Sequence, residues 1–65
     1  LKITVNGEAR ATEARTLDDL CRELGLIDAK IATALNGEFV PAQARAVARL
    51  SEGDAVELVS PRQGG

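Results

Sequence analysis

Two Asn-Gly dipeptides, Asn6-Gly7 and Asn36-Gly37, constrain this chain most. Asn-Gly between alternating segments is the strongest short-range hairpin signal, because both central residues of the turn need positive φ. Before the first dipeptide, Leu1, Ile3 and Val5 alternate with Lys2 and Thr4, the period of a half-buried strand. A return strand is expected from about Glu8 to Glu13, with Ala9 and Ala11 facing inward. Before the second, Ile31, Thr33 and Leu35 share a face, and Glu38 to Val40 form a short return strand. Pro41 stops it, because proline has no amide for the ladder.

Between the hairpins lies one helix. Thr16 is its N-cap, with Asp19 as the reciprocal partner of a capping box. Asp18 and Asp19 also suit the positive end of the helix dipole. Leu17, Leu20, Cys21 and Leu24 make one apolar stripe. Gly25 ends the helix in the left-handed region, and Leu26 folds back on it. Ala42 to Ala46 reads as a single helical turn, and Val47 and Leu50 as extended or packing positions. Ser51-Glu52-Gly53-Asp54 is a polar turn. Ala55 to Val59 is the last strand, with Val56 and Leu58 on one face and Glu57 and Val59 on the other.

One amphipathic helix and a one-faced sheet must cover each other. The helix also supplies the long crossover that lets the first and last strands lie side by side and parallel. The expected fold is therefore α+β: a mixed sheet of four to five strands with one main helix across it, the β-grasp arrangement. Residues 1–59 are the domain, and residues 60–65 an aperiodic, flexible tail ending in Gly64-Gly65.

The 65 residues make one domain at most, with a modest core. A single cysteine excludes an intrachain disulfide, and no histidine is present to serve as a base or zinc ligand. Ser-His and Cys-His nucleophiles are thereby excluded. Cys21, on the apolar stripe, reads as a small buried hydrophobe. Asp18 and Asp19 read as capping residues, and Glu52 and Asp54 as solvated turn residues. No glycine-rich phosphate loop precedes the helix. The net charge is −2, the six arginines are scattered and Phe39 is the sole aromatic, which argues against nucleic acid. No apolar run is long enough to cross a bilayer, and no signal peptide is read at the start. A cytoplasmic location is expected.

No catalytic residue is therefore expected in the domain, and the reactive group the sequence offers lies in the tail. Glycine at the last two positions offers a carboxylate with no side chain beside it. Such a group can be threaded into a narrow channel of another enzyme. It can be activated as a mixed anhydride and passed on as an acyl group or thiocarboxylate.

The chain resembles the thiazole-biosynthesis sulfur carriers, ubiquitin-like proteins of the thiamine pathway. The resemblance covers nearly the whole chain: Asn6-Gly7-Glu8, Thr16-Leu17 with Leu20 and Leu24, and Ala34-Leu35-Asn36-Gly37 before Val40-Pro41. It continues through Leu50, Gly53-Asp54, Val56-Glu57-Leu58 and Gly64-Gly65. Ala42 departs from a pattern that is often basic there, and Arg62-Gln63 from one that is often more apolar. The resemblance implies that a partner enzyme adenylates the carboxylate of Gly65 with ATP. Conversion to a thiocarboxylate follows, with sulfur supplied indirectly by a cysteine desulfurase and donated to thiazole synthase. No cofactor is bound by the carrier itself, which is expected to be a monomer when free. The partner-binding residues implied are Val59, Arg62, Gln63, Gly64 and Gly65. The alternatives are a carrier like the small subunit of molybdopterin synthase, and a passive β-grasp binding module.

Overall fold

The computed structural model describes residues 1–26 and 30–60. Among these residues five strands form one sheet: β1 (Lys2–Val5), β2 (Glu8–Ala11), β3 (Ala32–Leu35), β4 (Glu38–Val40) and β5 (Ala55–Val59). Their order across the sheet is β2-β1-β5-β3-β4. β1 and β5 are parallel neighbours, with Val5 opposite Val56, and β3 runs antiparallel to β5. The sheet is therefore mixed, with the last strand at its centre, as the element order requires. One helix, α1 (Leu17–Glu23), packs on one face, and a 3₁₀ helix (Ala42–Val47) follows β4. The fold is the expected α+β β-grasp.

The hairpin turns share one geometry. Asn6 and Asn36 both have φ of 51°, and Gly7 and Gly37 both have φ of 86°. These are the positive values a two-residue type I′ loop demands. In the first hairpin Val5 pairs with Glu8, and Ile3 with Arg10. That register corrects one expectation. Residues directly opposite each other share a face, so an inward Ile3 brings Arg10 inward and turns Ala9 and Ala11 outward. Both alanines are exposed. β2 also ends at Ala11 rather than near Glu13. The Thr12 hydroxyl accepts a hydrogen bond from the Ala14 amide at 3.0 Å, a local turn that bends the chain away from the ladder.

The helix ends follow from their residues. Thr16 Oγ1 accepts from the Asp19 amide at 3.1 Å. The return arm differs from a capping box: Asp19 Oδ2 accepts from the Arg15 amide, one residue earlier than expected, at 3.3 Å. At the other end Gly25, at φ of 77°, donates to the Arg22 carbonyl, and Leu26 to that of Cys21. Together these two bonds make a Schellman motif.

Ile3, Ala14, Leu17, Leu20, Leu50 and Val56 form the core, with Cys21 buried beside them. Leu50 packs as expected, but Val47 is 76% exposed and does not. Arg45 explains how the 3₁₀ helix is held with so little apolar burial. Its Nη2 donates to the Ile31 carbonyl at 2.7 Å, and its Nε to Thr33 Oγ1 at 3.1 Å. The Thr33 hydroxyl, itself buried, donates to the Val40 carbonyl at 2.7 Å.

Candidate partner-docking face

The second face of the sheet is uncovered by α1. Register places Thr4 beside Ala55 and Ala9, and Ala34 beside Glu57 and Phe39, all on that face. Ala32 lies opposite Val59. Phe39 is 70% exposed and Val59 58%. β4 stands two strand spacings from β5, about 10 Å. Ala32 and Ala34 lie between them, so a shallow apolar floor joins Val59 to the only aromatic side chain of the chain. Glu57 adds one negative charge to this patch. A face built so is suited to receive apolar groups of a partner, with a cation opposite Glu57.

Of the sequence-derived site residues, Val59 stands at the outer end of β5 on this face. Arg62, Gln63, Gly64 and Gly65 lie outside the described residues, as does most of the tail assigned to 60–65. Phe39 was not among the expected partner contacts. Its signal lay in the alternation of β4: Pro41 fixes the strand end, Val40 points to the core, and Phe39 must point away.

Among the described residues the titratable groups do not assemble a catalytic site. Burial pushes the Cys21 thiol up, Arg45 pulls it down by a smaller amount, and Asp18 pushes it up. The net rise keeps it a thiol, the inert form. Glu23 is shifted the other way. The Thr12 hydroxyl donates to its Oε1 at 2.6 Å and Arg10 Nη2 donates to its Oε2 at 2.9 Å, which hold the carboxyl below the usual range. Both contacts tie the end of α1 to the first hairpin, a structural role. Asp54 is also structural. Its two oxygens accept from Asn36 Nδ2 at 3.0 Å and the Ser51 amide at 2.7 Å. Among the described residues no group of His, Cys, Asp and Glu is placed to hold a metal ion, and no helix is long and apolar enough to cross a membrane.

A β-grasp domain with an open apolar face is common to carriers and to passive modules, so the comparison with known proteins decides between them. The model of the ThiS family matches residues 3–65. The chain belongs to the ThiS family. Among solved structures it is similar to the crystal structure of the thiamine biosynthesis protein ThiS from Geobacter metallireducens. That likeness has a TM-score of 0.83, 29% identity and full coverage of both chains. A solution structure of a thiamine biosynthesis protein from the same organism aligns with a TM-score of 0.80 and 26% identity. It covers all of this chain and 88% of that one. A curated relative, a thiazole synthase of Paramagnetospirillum magneticum, is 36% identical over 66 residues. The chain spans only 20% of that relative's length.

Proposed function

We propose that this ThiS-family chain carries sulfur as a thiocarboxylate on Gly65 and delivers it for thiazole formation. The observation that supports this most is the family match through Gly64 and Gly65, on a domain whose described residues hold no nucleophile beside a base. Chemistry then has to be supplied by partners. A carboxylate is a poor acyl donor, since its leaving group would be oxide. In an adenylating enzyme the Gly65 carboxylate attacks the α-phosphorus of ATP, pyrophosphate leaves, and an acyl adenylate remains. A persulfide sulfur then attacks the acyl carbon and AMP departs. A thiol cleaves the resulting acyl disulfide, leaving the thiocarboxylate, whose charge sits largely on a nucleophilic sulfur.

The persulfide sulfur traces back to a cysteine desulfurase, and the acceptor is thiazole synthase. That a protein named thiazole synthase contains a segment similar to this whole chain favours the second assignment. Val59 and Phe39 dock the domain, Arg62 and Gln63 contact the partner next to it, and Gly64 and Gly65 enter its channel, where a side chain would clash. Residues 1–59 serve as the recognition body and 60–65 as the arm. The carrier works as a cytoplasmic monomer passing between enzymes.

The reading requires a free carboxylate at Gly65. Intact mass of the protein from its native cell tests it. A population heavier by the difference between one sulfur and one oxygen, mapped to Gly65, is expected. A chain that continues past Gly65 in the cell, with no processed form, would overturn it.

A further inference from the structure

On the β1 side, β5 is held near its end by a side chain where a strand is missing. β1 ends at Val5, and the Asn6 amide makes the next backbone bond, to the Val56 carbonyl at 2.9 Å. Beyond it, the main-chain groups of Leu58 on this side meet the Asn6 side chain. The Leu58 amide donates to Asn6 Oδ1 at 2.9 Å, and Asn6 Nδ2 donates to the Leu58 carbonyl at 3.2 Å. A primary amide reproduces the donor and acceptor of a peptide unit, so Asn6 stands in for a further rung of the ladder. On the opposite side of β5, Ala32 pairs with Val59.

The turn alone does not require this. Glycine at position 6 would adopt the φ of 51° more easily than asparagine. Asn36 provides an internal comparison. It has the same φ, and its side chain accepts from the Ala55 amide at 2.9 Å, at the start of β5. One asparagine thus secures the beginning of the central strand and the other its end, the end from which the chain continues toward Gly65.

We infer that Asn6 is a positioning residue for the tail chemistry: its side-chain amide fixes the last rung on the β1 side of β5, and so steadies the strand from which the chain runs on toward Gly65. The inference rests on the carrier reading. Without that rung, β5 is held beyond Val56 from the β3 side alone, and a partner has to order its β1 edge as well as the arm when it docks. Ordering one residue's backbone costs a factor of about ten in affinity.

The test compares Asn6→Gly with Asn36→Gly, which make the same change in the same turn. The measurements are pyrophosphate release by the organism's own ATP-dependent adenylating enzyme, as kcat and KM for the carrier, and amide exchange by NMR. Asn6→Gly should raise KM about tenfold, leave kcat near wild type and accelerate exchange at Leu58. Asn36→Gly should accelerate exchange at Ala55 and leave KM unchanged. Asn6→Asp retains the acceptor for the Leu58 amide but sets an oxygen against the Leu58 carbonyl. It should fall between wild type and Asn6→Gly, and serves if the glycine variant does not fold. Equal KM for the two glycine variants, or unchanged exchange at Leu58, overturns the inference while the carrier reading stands. No adenylation of the wild-type chain sinks that reading and this inference with it.

Discussion

The two faces of the sheet are made from the same five strands and do opposite work. The covered face presents Ile3 and Val56, both almost fully buried, to Leu17 and Leu20 of α1, and the buried Thr33 to Arg45 of the 3₁₀ helix. The open face presents alanines, Phe39 and Val59. In so small a domain nearly all packing energy has to come from one layer of contacts. The second face is then free to vary for recognition, because little stability depends on it. Substitutions on the two faces should separate cleanly.

The largest effect is expected on the covered side. Leu20 has no exposed surface, and Leu20→Ala should cost about 2–5 kcal/mol, enough to unfold much of the population. Chemical denaturation followed by circular dichroism measures it. A loss under about 1 kcal/mol would mean the helix is not the main cover of the sheet.

Next comes the seam where α1 meets the first hairpin. Thr12→Val removes the hydroxyl that donates to Glu23 and strands the buried Ala14 amide, at a cost of about 1–3 kcal/mol. It should also change the response to acid. The folded Glu23 carboxyl lies below its ordinary value, so its contribution is fully present above that ordinary value. It is lost as pH falls from there through the folded value. Wild type should lose more stability across that window than the variant. Parallel pH curves would remove Glu23 from the account.

Cys21→Ala should be milder, about 1 kcal/mol for one buried group, with sulfur transfer intact in the folded fraction. Rapid labelling of native protein by a thiol reagent would contradict the quiet role given to this cysteine.

The smallest effects on stability, within about 0.5 kcal/mol, belong to Phe39→Ala and Val59→Asp on the open face. The same variants, with Arg62→Glu, should weaken binding to the adenylating enzyme, measured by calorimetry. Wild-type affinity in all three would move the docking surface elsewhere.

What the sequence reveals has a physical boundary. The turns, the helix and the parallel first and last strands follow from local chemistry: Asn-Gly demands one loop, Thr16 and Gly25 mark the helix ends, and one helical stripe has one place to go. The facing of β2 is lost when alternation is read strand by strand, because the two-residue loop sets it across the hairpin. Arg45 is invisible because its task is to pin Ile31 and Thr33 across a turn, and a lone arginine in an alanine-rich stretch has no period. Asn6 reads as a turn residue, while its second task involves Leu58, 52 positions away. Alternation puts Val59 on the open face, where it stands, while Gly64 and Gly65 are read from chemistry and family resemblance and lie outside the described residues. Phe39 needed the register to appear.

The central claim is that this domain presents a glycine carboxylate for others to activate. Intact mass after incubation with the cognate adenylating enzyme, ATP and a persulfide source tests it most directly. The wild-type chain should gain the difference between one sulfur and one oxygen. Chains lacking Gly65, or extended by one residue beyond it, should gain nothing while keeping the wild-type circular dichroism spectrum. Equal gain in the truncated chain, or none in wild type with its genuine partner present, would contradict the account.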